Sequence, residues 1–209
     1  MLVPLRDHLQ EGGLDAAQVL RSVGIDPEVF EDPDGRVKAA KGLRLWDEAA
    51  RQLGDPLLGL HVAARVTRDS FDLLSQVASV SDTFREMGER IARYHALAAP
   101  QTLYTLREEG PWAWWLVPAP PVADDIFRQV QEFALAVGWV YTRSWGGEDC
   151  GIRRVHFAHR AGAPAEHYET FFRVPVHFEQ AETGFEIPSA VLDRPLASAD
   201  AALASVLDR

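Results

Sequence analysis

The sequence has a single cysteine in 209 residues and no apolar run that approaches the about 20 residues needed to cross a bilayer. Because Cys150 is alone, the chain can form neither an internal disulfide nor a multi-thiolate zinc site, so its stability must come from packing. The first residues, Met1 to Asp7, lack the basic start and the apolar core of a signal peptide. We therefore expect a cytoplasmic protein without contact to a membrane.

Positive charge is also scarce. Lysine and arginine total 21 against 31 aspartates and glutamates, which gives a formal net charge of −10. Nucleic-acid binding depends on Lys and Arg side chains that neutralise phosphates, and the densest local groups here are only Arg153 with Arg154 and Arg90 with Arg93. The composition therefore argues against DNA binding by this chain itself.

The sequence signatures of common enzyme classes are missing as well. It contains no nucleophile elbow, no P-loop and no dinucleotide-binding glycine pattern. The histidines His156, His159, His167 and His177 raise the question of a metal, but residues three apart on a strand point to opposite faces, which separates His156 from His159. We expect no catalytic residue, no metal site and no cofactor.

The first hundred residues predict helices joined by short polar turns. The clearest helix spans Val37 to Leu53, where apolar side chains recur three and four positions apart and charged ones occupy the opposite side. Ser81 and Asp82 offer capping oxygens for another helix that runs to about Leu97. Shorter helices are predicted at Leu5–Gln10, Asp15–Val23, Leu57–Val66 and Phe71–Val80.

Past Pro100 the periodicity changes from helical to strand-like. Two segments, Thr102–Arg107 and Trp112–Val117, flank a polar turn and predict a β-hairpin. The longest helix follows, from Asp124 to about Trp145, with an apolar arc wide enough to cover a sheet. Further short elements are strands at Ile152–Ala158, Val176–Phe178 and Gly184–Ile187, and helices at Ala165–Phe172 and Ser198–Leu207. The predicted fold class is α+β: a helical N-terminal half followed by a small, mostly antiparallel sheet covered by a long helix.

The C-terminal third carries a set of short motifs that resemble a known family. They are Arg154-Val155-His156-Phe157-Ala158-His159, then Pro164, Tyr168 and Phe172, then Pro175-Val176-His177-Phe178, and lastly Ile187-Pro188 with Leu192-Asp193-Arg194-Pro195-Leu196. In the helical half, Gly24-Ile25-Asp26-Pro27, Asp32-Pro33-Asp34-Gly35-Arg36-Val37 and Gly54-Asp55-Pro56-Leu57-Leu58-Gly59-Leu60 agree with it. Together they resemble the N-terminal regulatory domain of one branch of the AraC-type bacterial transcription regulators.

This resemblance implies a domain that recognises a small effector or a partner subunit, while a C-terminal module of two helix-turn-helix units reads promoter DNA. That module would need about 100 further residues, by the size of small domains. We therefore expect residues 1–197 to form a single effector-sensing domain and residues 198–209 to begin the linker helix toward a missing DNA-binding domain. DNA contact would come only through that module.

Aromatic side chains suggest where an effector would bind. We expect the hairpin and the long helix to face each other, with Trp112 and Trp114 from the strand opposite Phe127 and Val130 from the helix. Polar groups at the edge would come from Gln131 and, on the preceding helix, from Tyr94 and His95. These side chains suit an effector that is mainly apolar with one or two polar groups. The alternative is that they are close-packed core.

The outward side of the long helix carries an apolar pair, Leu135 and Trp139, among charged residues. Exposed apolar pairs sometimes mark interfaces, so these two residues are candidates for a homodimer contact. The alternative is that other helices of the same chain cover them. Two further functions stay open: a dimerising or structural module with no small ligand, and an enzyme whose titratable groups converge in a pocket.

Overall fold

A computed structural model describes residues 2–30, 37–66, 80–98, 104–117, 127–147, 149–196 and 199. The N-terminal half is helical: α1 (Leu2–Glu11), α2 (Ala16–Ser22), a 3-10 helix (Pro27–Phe30), α3 (Ala39–Leu53) and α4 (Leu58–Ala63). The amphipathic helix predicted up to Leu53 is confirmed as α3, which buries Leu45, Trp46 and Ala49 and ends at Gly54 in the left-handed conformation. The helix predicted at Phe71–Val80 lies almost wholly outside the described residues.

Helix α5 (Phe84–Ala98) follows, and its cap differs from the expected one. The hydroxyl of Thr83 accepts a hydrogen bond from the Glu86 amide, and the Glu86 carboxylate accepts one from the Asp82 amide. The Thr83 hydroxyl satisfies an amide of the first turn as in a capping box, but Glu86 bonds the amide of Asp82 and not that of Thr83 itself. The capping side chain is therefore Thr83, one residue after Asp82.

Five strands form a mixed sheet. The strands are β1 (Thr105–Glu109), β2 (Trp112–Val117), β3 (Arg154–His156), β4 (Val176–His177) and β5 (Thr183–Pro188), in the order β1-β2-β5-β3-β4. All pairs are antiparallel except β3 with β4. The predicted hairpin is confirmed, and the sheet is mostly antiparallel as expected.

The long helix is α6 (Arg128–Gly146), and it lies between two layers. On one side α4 packs along it so closely that a side chain at Gly59 would come within 2.9 Å of the Phe133 amide nitrogen. On the other side Gly138 lies against the ring of Phe185 in β5. The order of layers is therefore N-terminal helices, α6, then the sheet.

Two short helices complete the C-terminal half: α7 (Ala165–Phe172) and α8 (Ser189–Leu192). Helix α7 has the predicted bounds and buries Tyr168 and Phe172 against Phe157, which follows β3. The helix predicted at Ser198–Leu207, and with it the proposed linker, lies outside the described residues. Among the described helices, none is both long enough and apolar enough to span a membrane.

Candidate functional site

Strand β2 sends its three tryptophans to two faces of the sheet, as strand alternation predicts. Trp115 pairs with Phe185 and therefore points to the same side, where α6 lies. Its ring also packs against Gly88 of α5 and stacks on Tyr104 at 5.6 Å between ring centroids. Trp115, rather than Trp112 or Trp114, is the tryptophan that faces the helices.

The expected facing of Trp112 and Trp114 with Phe127 and Val130 is therefore wrong, because the two tryptophans lie on the face of the sheet opposite α6; effector binding at the individual residues stays a prediction. Phe127 caps the start of α6, Val130 packs against the core, and Gln131 is buried in the same first turns. Trp112 and Trp114 point away from that helix. Tyr94 and His95 belong to α5, but their side chains are outside the described part of the structure.

The other face of the sheet brings together a different group around the two tryptophans. We name it the sheet-face cluster, and its members are Trp112, Trp114, Arg154, His156, His177 and Glu186. Alternation and strand register put all six on one side, since Trp114 is opposite Glu186 and Glu186 is opposite Arg154. The histidines pair in the next row, His156 beside His177.

Glu186 is the centre of the sheet-face cluster. Its side chain is 8% exposed and forms an ion pair with the guanidinium of Arg154. The second carboxylate oxygen lies 3.3 Å from Nε2 of His156. The Arg154 guanidinium also lies over the ring of Trp112, 5.9 Å from its centroid, at the outer range of a cation–π contact. A carboxylate beside an aromatic face is an arrangement that binds cations.

The two basic residues that contact Glu186, His156 and Arg154, differ in charge and in exposure. Burial lowers the pKa of His156, which outweighs the opposite effect of Glu186, so the imidazole is mainly neutral near pH 7. Its ring meets Trp114 edge-on at 5.0 Å. Arg154 is 45% exposed, so the charge that faces Glu186 sits on a side chain with room to move into solvent.

Sequence reasoning missed Arg154, His156 and Glu186 as members of a site. Arg154 and His156 are two apart in a short strand, and Glu186 interrupts the otherwise apolar run from Gly184 to Ile187. A charged residue between buried apolar ones on a strand is a signal that one face is polar. The strand order then decides that these residues meet the tryptophans, and sequence does not contain that order.

A second polar group, the Glu132 network, lies inside the molecule where α4, α6 and α7 meet. Glu132 is fully buried and accepts a hydrogen bond of 2.7 Å from the hydroxyl of Tyr168. Arg128, one turn earlier, lies 3.3 Å from the same oxygen, and His159 Nε2 lies 3.9 Å from it. The other oxygen has no hydrogen-bond partner within the described part of the chain. Burial raises the pKa of Glu132 to about 7.

The proposed dimer residues Leu135 and Trp139 are not exposed. They are 1% and 5% exposed, and Trp139 packs edge-on against Phe172 of α7 at 5.9 Å. The premise of an outward apolar pair is therefore wrong, because α6 is covered on both sides. The edge of Trp139 lines a shallow surface groove of about 360 Å³ beside Phe171. Whether the chain dimerises stays a prediction.

The histidines of the C-terminal third separate as strand alternation predicts. His156 lies on the sheet face with His177, at 5.3 Å between ring centroids, whereas His159 follows the strand and lies near Glu132. His156 and His159 therefore do not converge on one ion.

Comparison with known proteins shows which family and which relatives this chain resembles. Residues 13–196 match the model of the family described as the arabinose-binding domain of AraC transcription regulators, N-terminal part. The chain is 26% identical over 207 residues to the ornithine utilization regulator of Pseudomonas aeruginosa, covering 98% of this chain and 60% of that protein.

A solved structure shares the fold. The transcriptional regulator CdpR from Pseudomonas aeruginosa superposes with a TM-score of 0.64 at 16% identity, covering 92% of this chain and 59% of that one. The chain thus spans about 60% of the length of the relatives that it matches.

Proposed function

The chain belongs to the family of N-terminal arabinose-binding domains of AraC transcription regulators, and we propose that it senses a small effector and does so on the sheet face. As a regulatory domain of this family it is not an enzyme. Effector binding would control promoter contacts made by a C-terminal helix-turn-helix module in the cytoplasm. The net charge of −10 supports this division, because the acidic domain itself is poorly suited to phosphates.

The observation that carries the proposal is the position of Arg154. Its guanidinium lies over Trp112 and pairs with Glu186. A cationic side chain of the protein itself therefore occupies the position between an aromatic ring and a carboxylate, where a cationic ligand would bind. The side chain is partly exposed and can leave without disturbing the core. A free cationic molecule would compete for the same two partners.

The effector class follows from these partners. Trp112 and Trp114 offer partly buried aromatic surface for an apolar stem, and Glu186 offers one carboxylate for a cationic end group. The expected effector is mainly apolar with one or two polar groups; the sheet face keeps the apolar stem of that expectation and adds an ammonium or guanidinium end group. The name of the similar ornithine utilization regulator supports the class, since ornithine carries an ammonium on a short methylene stem.

Calorimetric titration of the 209-residue chain tests the proposal. The probes are L-ornithine, L-arginine and putrescine, with L-norvaline as the analogue of ornithine that lacks the side-chain ammonium. We expect at least one cationic probe to bind and norvaline not to bind. Glu186→Gln should weaken binding by at least about tenfold, which corresponds to ~1.4 kcal/mol for the loss of a charge-assisted contact.

The variant Arg154→Ala distinguishes two roles of Arg154: competition with the ligand for Glu186, or direct contact with the bound ligand. If Arg154 occupies the place of the ligand, its removal frees Glu186 and binding becomes tighter. If Arg154 instead contacts the ligand, binding becomes weaker and the competition model is wrong. Arg160→Ala is the matched control, because this exposed arginine pairs with Glu179 away from the cluster. No binding by any cationic probe would favour the alternative of a structural or dimerising module.

A further inference from the structure

Three side chains that can ligate metals converge in the N-terminal half, at the junction of α1, the α3–α4 turn and α4. They are His8, Asp55 and His61, and their ligand atoms all lie within 4.8 Å of one another. The Asp55 Oδ2 atom lies 2.8 Å from Nδ1 of His61 and 3.5 Å from Nε2 of His8. His8 lies 47 positions before Asp55 and 53 positions before His61 in the sequence, so helix packing alone brings these side chains together.

The local structure holds the carboxylate in place. Oδ1 of Asp55 accepts a hydrogen bond of 2.9 Å from the Leu57 amide, which fixes the side chain at the start of α4 and leaves Oδ2 to face the two imidazoles. His8 is partly buried, with 17% of its side chain exposed, whereas His61 is 51% exposed. One side of the group is therefore open to solvent.

Donor type and spacing match a first-row divalent cation. Zinc binds His nitrogen at ~2.0–2.1 Å and carboxylate oxygen at ~2.0–2.2 Å, so donors in a tetrahedral site lie about 3.3 Å apart. The two separations from Asp55 Oδ2, 2.8 Å and 3.5 Å, bracket that distance. Two imidazoles, one carboxylate and an open side correspond to three protein ligands with room for water.

Neighbouring charges do not block a cation. Among the described residues, the positively charged arginine that acts on His8 is Arg65, which forms an ion pair with Glu11 at the end of α1.

We propose that His8, Asp55 and His61 bind a divalent first-row metal ion, with zinc the best match. The ion would join α1 to α4, and α4 is the helix that packs along α6. The site lies in the helical layer and not on the sheet, so this inference is independent of the sheet-face cluster and of any effector.

Calorimetric titration of the metal-free chain with zinc chloride tests it, with cobalt chloride as an optical probe. We expect one ion per chain with micromolar or tighter affinity, a higher melting temperature with the metal, and visible cobalt bands of a four-coordinate site. His61→Ala and Asp55→Asn should each weaken binding at least about tenfold, the loss that even outer partners of a metal site cause.

Two controls keep the result decisive. His61 is half exposed, so His61→Ala leaves the fold intact even if a change at the more buried His8 does not. His177→Ala removes a histidine of the sheet-face cluster and should leave zinc affinity unchanged. The proposal is overturned if zinc binds no tighter than millimolar, or if affinity survives His61→Ala and is lost in His177→Ala.

Discussion

The buried carboxylate of Glu132 makes the stability of this domain depend on pH in a direction opposite to that of most acidic groups. Glu132 is 0% exposed, and burial is the largest influence on its pKa, which lies at about 7 against an ordinary value of 4.5. The groups that face it are Arg128 on its own helix, Tyr168 on α7, His159 after β3, and Asp55 before α4. Arg128 and Tyr168 favour the ionised form, but burial outweighs them.

The sign follows from linkage. Below pH 4.5 the group is protonated in both states and contributes its full stabilisation. Between pH 4.5 and about pH 7 the unfolded chain ionises while the folded chain keeps its proton, so the free energy of unfolding falls as pH rises. A pKa difference from 4.5 to about 7 corresponds to a loss of about 3 kcal/mol, with no further loss above pH 7.

The assay is urea unfolding of the wild type and of Glu132→Gln at several pH values from 4.5 to 8. The amide cannot ionise, so the variant should lack this pH dependence, and the wild type should lose ~3 kcal/mol relative to it across the range. Glu179→Gln, at an exposed ion pair with Arg160, is the control for ordinary charge effects. A difference between wild type and Glu132→Gln that stays constant with pH would refute the reasoning.

Three further predictions follow from packing and charge. Gly59→Ala should destabilise the chain by ~1–3 kcal/mol in urea unfolding, because the new carbon would meet the backbone at Gln129 and Phe133. The control Gly42→Ala on α3, where the new carbon would meet only a Val37 methyl group at 3.9 Å, should be neutral or stabilising by up to ~1 kcal/mol. Trp139→Glu should lower the melting temperature sharply or unfold the chain, since a shorter charged side chain would replace the buried ring that packs on Phe172, and a folded monomer in solution scattering would contradict this. In gel-shift titrations the chain should not bind promoter DNA, and sub-micromolar, salt-dependent binding would show otherwise.

The elements of this fold were predictable from sequence because local patterns determine them. The spacing of apolar residues along α3 predicts a surface helix, and the polar turn between β1 and β2 predicts a hairpin. Helix α7 has the predicted bounds, Ala165–Phe172. The pattern within each segment is enough to predict it, although Trp46 of α3 packs against Phe133 of α6 and Phe172 of α7 packs against Trp139 of α6.

The surroundings of α6 were not predictable in the same way. A helix covered on one side shows an apolar stripe, but α6 is covered by α4 and α7 as well as by the sheet, so Leu135 and Trp139 are buried on its supposed outer side. Glu132 is also buried there, although a charged residue usually indicates an exposed face. The charged residue Glu132 therefore made this side of α6 look exposed in the sequence, although it is buried.

The sequence predicts which tryptophans of β2 share a face, but not which residues of other strands lie beside them. Alternation correctly separates Trp112 and Trp114 from Trp115, but it does not tell which face meets the helices. That choice depends on Phe185 and on the strand order, in which β5 lies between β2 and β3. Only this order brings Arg154 and Glu186 to the tryptophans.

The central claim is that an effector binds on the sheet face, and the indole N–H signals of the six tryptophans test it most directly. Proton–nitrogen NMR spectra of the chain would be recorded during titration with L-ornithine, or with whichever cationic probe binds most tightly. We predict that the signals of Trp112 and Trp114 shift, while those of Trp46 and Trp145, buried in the helical layers, do not. Binding that shifts the Trp46 or Trp145 signal and leaves Trp112 and Trp114 unchanged would contradict the account.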